Sequence, residues 1–252
     1  MIRLLECEYR KTRGRYVFLT ALALTILSLV WILWGNYGEF EMQNGWMMFL
    51  YQLPMLNTIF MPILAMVTAS RLCDIEHKGG MFKQLLTLAP KGKVYDAKLV
   101  YGISVIAICS LIHWGMVLAF GYVKGFEGKA PLKLYLIYLL FTLVPTIAVY
   151  LFQHVLSIVF PNQAAAFFVG IIGAFAGLFS LFLPFPVLPR LLLWGYYGEL
   201  QFVWLFGWTK EARYAEAYYE AMGFDWAALA MIGAACIIIY VVGKILFCRK
   251  EA

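Results

Sequence analysis

Long apolar runs separated by short polar breaks dominate the chain. Five of them are unmistakable: Tyr16 to Trp34, Met47 to Ser70, Leu99 to Val123, Leu134 to Phe160, and Ala227 to Phe247. Each supplies roughly the 20 apolar residues that a helix needs to cross about 30 Å of hydrocarbon. A sixth run, Ala164 to Leu183, follows the fourth after only Pro161-Asn162-Gln163. Such a break reads as a tight turn between antiparallel helices. The pattern therefore predicts six spans. They are helices because a helix satisfies its backbone polar groups internally, and no period-2 alternation suggests barrel strands. The first run is expected to stay as a span, since it is longer than a signal-peptide core and Gly35-Asn36-Tyr37-Gly38 is no small-x-small cleavage site.

Two segments between or before the spans are amphipathic. In residues 1–15, Ile2, Leu4, Leu5 and Tyr9 interleave with Arg3, Glu6, Glu8, Arg10 and Lys11. This predicts a short helix in the membrane interface, the alternative being a basic topogenic tail. In the connection 71–98, Met81, Phe82, Leu85, Leu86 and Ala89 fall at i, i+1, i+4, i+5 and i+8, one stripe of a helix bounded by Gly79-Gly80 and Pro90. A third long connection, 184–226, begins with the proline-punctuated aromatic run Pro184 to Tyr197. That run suits short helices lying at or dipping into the interface, either as an aromatic belt or as an outer gate.

Composition agrees with lipid as the solvent. At 63% hydrophobic and 13% charged residues, with mean hydropathy +0.80, the chain has too little polar surface to cover a water-soluble globule. The fold class expected is an all-α integral membrane protein, a single transmembrane domain over 1–252. Charge then sets orientation. Arg3, Arg10, Lys11, Arg13 and Arg15 precede the first span, and Arg71, Lys78, Lys83, Lys91, Lys93 and Lys98 lie between the second and third. Lys244, Arg249 and Lys250 mark the C-terminal end, whereas the connection around Glu39 and Glu41 has no basic residue. Both chain ends and the 71–98 loop are expected on the cytoplasmic side of the cell membrane, and 184–226 outside. Lys124, Lys129 and Lys133 run against this pattern.

The candidate chemistry is mostly exclusion. No phosphate loop, HExxH or GxSxG motif occurs, so neither a catalytic site nor ATP hydrolysis is expected in this chain. Cys7, Cys73, Cys109, Cys236 and Cys248 form no CxxC pair, and no metal site is expected. The centres of the spans lack carboxylates, which disfavours an ion-coupled secondary transporter. Pro54, Pro62 and Pro145 keep that alternative open through broken helices. His113 and His154 fall inside spans three and four, where a helix-to-helix hydrogen bond competes with a functional role, such as in an intramembrane enzyme. Gly170, Gly173 and Gly177 permit close helix approach, within the chain or between subunits.

The segment Glu76, Gly79 or Gly80, Leu85-Leu86, Pro90 and Lys98 resembles a motif of the permease subunits of type-2 ABC exporters, especially the six-helix subgroup that protects bacteria against lantibiotics and bacitracin-like peptides. That family usually has an arginine shortly after the proline, where this chain has Lys91-Gly92-Lys93. The resemblance implies a permease domain in which the helix around Met81, Phe82, Leu85 and Leu86 is a coupling helix, with Glu76, Pro90 and Lys98 flanking its contact with a separate ATP-binding subunit. It also implies a second permease chain, the same or paralogous, meeting this one near Gly170, Gly173 and Gly177. ATP and magnesium would reside on the partner subunit, with none in this chain. Membrane lipid is a further expected partner and nucleic acid is not.

Overall fold

The computed structural model describes residues 1–14, 16–33, 35, 37–78, 85, 87–210, 214 and 216–249. Helix α1, Ile2–Arg13, precedes α2, Val17–Leu33. The long helices α3, Glu39–Lys78, and α4, Lys91–Lys124, follow, then α5, Leu132–Val159, and α6, Gln163–Ser180. Two single-turn helices, α7 at Leu188–Leu191 and α8 at Tyr196–Glu199, flank a 3₁₀ turn at Leu193–Gly195. Strands β1, Val203–Phe206, and β2, Tyr218–Ala221, form an antiparallel hairpin pairing Val203 with Ala221. Helix α9, Trp226–Arg249, closes the described chain.

Five helices, α3, α4, α5, α6 and α9, are long and apolar enough to cross a membrane. The first predicted span is represented by α2, whose 17 residues sit at the short end of the spanning range and which meets α1 at a bend of 69°. Counted with α1 as one bent span, it brings the candidates among the described residues from five to six. Within 184–226, where short helices are expected, the hairpin departs from an all-α chain.

Residues that cannot continue a helix set the turns. Gly125 ends α4 in the left-handed region at φ 79°, with Gly128 at φ 76° in the following link, and Pro131 opens α5. Between α5 and α6 the Asn162 side chain accepts from the Ala164 N–H at 3.0 Å, capping α6 as the polar break predicts. None of the three prolines breaks its helix: Pro54 and Pro62 lie inside α3, and Pro145 inside α5. The discontinuous helices that an ion-coupled carrier would use are absent at those positions.

Helices run further than their apolar stretches. At 40 residues α3 is about 60 Å long, twice the thickness of the hydrocarbon. The segment 71–98, expected as a loop, is therefore largely helix: 71–78 completes α3 and 91–98 opens α4. Helix α3 packs against α2, α4, α5 and α6, and α5 against α3, α4, α6 and α9, so these two form the centre. The outward faces of α2, α6 and α9 present Leu19, Ile26 and Leu27, then Phe168, Ile172 and Phe175, then Ile237, Ile238 and Val242. Such faces suit lipid.

Contacts between elements show which ends lie together. Lys98 at the start of α4 meets Glu8 of α1, and Lys244 near the end of α9 bonds Asp96 of α4 at 2.7 Å. His77 at the end of α3 lies 3.0 Å from the Ser157 carbonyl of α5. Both chain ends and the α3–α4 and α5–α6 connections thus share one end of the bundle, which requires an even number of traversals. At the far end, Tyr37, Trp46, Phe49, Phe120 and Phe126 form an edge-to-face aromatic cluster. Lys124, anomalous by charge, rests its ammonium 5.4 Å from the Tyr37 ring and 5.6 Å from that of Phe120.

Candidate functional site

At the end where the chain termini meet, one face of α1 docks on the start of α4. Glu8 and Thr12, one turn apart, are its buried residues. An acid on the buried face of an amphipathic helix needs a cation, and α4 supplies Lys98, whose Nζ lies 3.0 Å from Glu8 Oε2 and 2.6 Å from Glu76 Oε2. Lys98 also donates to the Leu72 carbonyl at 2.9 Å. Lys11 completes a ring, 3.1 Å from Glu8 Oε1 and 3.1 Å from Glu76 Oε1. Two carboxylates and two ammoniums therefore balance. Glu76 is 0% exposed and Lys98 2%, so each depends on the others for its charge. Burial, the strongest influence on Lys11, works against its charge, but Glu8 and Glu76 outweigh it and hold the ammonium above its usual 10.5. Thr12 adds a hydroxyl contact of 2.6 Å to Tyr101 of α4.

The structure brings two of the predicted coupling residues together, Glu76 and Lys98, and joins them to each other instead of exposing them. Glu8 and Lys11 were missed as site residues. Their signal was an acid sharing the apolar stripe of residues 1–15 with Leu4 and Leu5. Pro90 is exposed and precedes the first turn of α4. Met81, Phe82 and Leu86, with Gly79 and Gly80, lie outside the described residues. Leu85, Thr87 and Leu88 are helical. The predicted stripe is partly redirected: Leu85 and Ala89 pack on the chain's own core, while Leu88, outside the stripe, is 83% exposed.

The glycine face of α6 is filled from within the chain. A Cβ at Gly173 or Gly177 would collide with Trp194, and one at Gly170 with Met66 and Gln153. At these three positions the chain packs on itself, against the expectation of a bare glycine face. The reason is the segment after α6. Instead of resting in an outer belt, it turns back into the bundle: Trp194 packs edge-to-face on Phe152 at 5.5 Å, and the Tyr197 hydroxyl donates to Thr146, halfway along α5, at 3.1 Å. Arg190 holds the returning segment through Glu199 and Asp225, at 2.5 and 2.7 Å. Asp225 also caps α9 by accepting from the Ala228 N–H at 2.8 Å.

The two intramembrane histidines join helices. His113 of α4 lies 3.2 Å from Ser28 Oγ of α2 and 3.3 Å from the Tyr138 hydroxyl of α5, to which Asn57 of α3 donates at 2.7 Å. His154 of α5 stacks on Tyr150 and approaches Cys73 of α3 at 3.8 Å. Both are buried between helices.

These features define a class: a polytopic helical membrane protein in which a surface helix and two long spans are locked by buried charges at one end. Within that class the family profile described as ABC-2 family transporter protein matches residues 4–177, and the chain belongs to that family. No curated protein and no solved structure matches it. The matched stretch includes α1 to α5, the ionic cluster and most of α6, and stops short of the returning segment, the hairpin and α9. The chain is thus an ABC transporter permease component.

Proposed function

We propose that this chain is the permease subunit of an ATP-driven exporter that removes hydrophobic or cationic peptide antibiotics of the lantibiotic type from the cell membrane. A separate subunit binds ATP and magnesium, and two permease chains, identical or paralogous, complete the transporter. The observation that carries this reading is the buried Glu8–Lys98–Glu76–Lys11 ring, which ties α1 to the end of α3 and the start of α4, the two helix ends that the expected coupling segment joins. A push received by that segment passes to three elements as one body. Helix α3 extends well beyond the hydrocarbon, so displacement of its protruding end tilts the span inside the bilayer. A permease without a phosphate loop needs such a mechanical contact to receive work from its partner. Alternating access between two membrane halves follows from that motion.

Affinity purification in mild detergent tests the partnership. A stoichiometric ATPase should accompany the chain and be lost in Leu88→Glu, whose exposed side chain leaves the fold intact. Leu85→Glu should lose the partner and also lower thermal stability, because Leu85 packs on the core. Absence of any ATPase sinks the exporter reading. Unchanged survival under lantibiotics and bacitracin with and without the complex removes the immunity assignment and leaves transport standing.

A further inference from the structure

At the far end of the bundle, a cleft of about 880 Å³ opens between α3, the end of α6 and the returning segment. Its wall combines Tyr37, Tyr51, Met55, Phe182, Phe185 and Trp204 with the carboxylates of Glu41 and Glu199, and among the described residues no lysine or arginine lines it. The size falls within the roughly 300–1,000 Å³ of sites for drug-sized ligands. It holds a few residues of a peptide, not the whole of one.

Charge and rings select the occupant. Glu199 is answered by Arg190, but Glu41 has no ion pair among the described residues and accepts a hydrogen bond only from the Gly38 N–H, at 3.0 Å. Tyr51 and Trp204 line the cleft with aromatic rings of the kind that hold a cation electrostatically, whereas the Tyr37 ring already carries the Lys124 ammonium at 5.4 Å. Met55, Phe182, Leu183, Phe185 and Trp204 are exposed, so the cleft is reached from the lipid side. We propose that this cleft binds a drug-sized amphipathic monocation arriving from the leaflet at that end, with its charge at Glu41 and its apolar body against Met55 and Trp204. Binding of this kind needs no ATP-binding partner, so it stands or falls separately from the exporter reading.

The test uses the full chain in nanodiscs of neutral lipid, with labelled tetraphenylphosphonium as probe and tetraphenylborate as the anion of the same shape. Saturable binding of the cation, about one per chain above empty nanodiscs, is expected, with no saturable anion binding. Glu41→Gln should weaken the cation about fivefold or more, the scale of one solvent-screened charge contact. Glu41→Asp should retain most of the affinity. Met55→Trp fills the cleft from an exposed position and should abolish the saturable component while the melting temperature stays put. Cation uptake indistinguishable from empty nanodiscs, equal saturable binding of the anion, or unchanged affinity in Glu41→Gln overturns the proposal.

Discussion

Lys98 shows how a single side chain is committed by its surroundings. Alone it is a lysine near the mouth of a span, free to reach headgroups; in the folded chain its ammonium is enclosed by Glu8, Glu76 and the Leu72 carbonyl. Removing it leaves one net negative charge in a buried site, which is costly in a way that removing a balanced pair is not. Lys98→Met should therefore destabilise the protein by about 3–5 kcal/mol. Lys98→Met combined with Glu76→Gln should recover much of that loss, because Glu8 and Lys11 remain as a neutral pair. Thermal melting in detergent checks both. A double variant no more stable than the single one would show that the ring is not an electrostatic unit. Glu76 and Lys98 were legible as a pair of candidate charges from the family motif, but their partners on α1 lie 68 and 90 residues away in sequence for Glu8. No local pattern reveals such a separation.

Among the elements, α6 departs most from its sequence pattern. Its glycines advertise a flat face, and a flat face fits equally a neighbouring subunit or a segment of the same chain. Trp194 decides the matter by filling the groove at Gly173 and Gly177. Trp194→Ala should leave a large void between α5 and α6 and cost about 3–5 kcal/mol, read as a fall in melting temperature. Gly173→Leu should produce a comparable loss by expelling the indole. Were both variants as stable as the parent, the returning segment would not be anchored there. The aromatic run Pro184 to Tyr197 was readable as interfacial, yet its inner members are buried and its outer members exposed. Polarity could not rank their depth, since rings serve a belt and a packed core equally well. The hairpin was invisible for a related reason: its strands are only four residues each, and Tyr219 is held by tilted ring contacts with Phe40 and Tyr51 of α3.

For the whole molecule, an even number of traversals brings the two chain ends to one side. Cys7 and Cys248 are exposed at that end, and Lys129 is exposed in the opposite link. A membrane-impermeant maleimide applied to intact cells should label Lys129→Cys and spare Cys7 and Cys248 until the membrane is opened. Labelling of Cys7 in intact cells would reverse the orientation; labelling of all three together would undo the six traversals. The sequence alone determined the solvent, five of the spans and the end at which the positive charge gathers, because each depends on hydrophobic length and net charge, which are sums over neighbouring residues. It also pointed to a permease through Glu76, Pro90 and Lys98. Only the tertiary structure decided that Glu76 and Lys98 close a ring with α1, that Leu85 faces inward while Leu88 faces out, and that Trp194 occupies the glycine face. Each of those outcomes depends on which distant surface reaches a position first and fits it, and in a bilayer, where apolar faces gain little by avoiding lipid, that choice rests on packing and buried charge rather than on hydrophobicity.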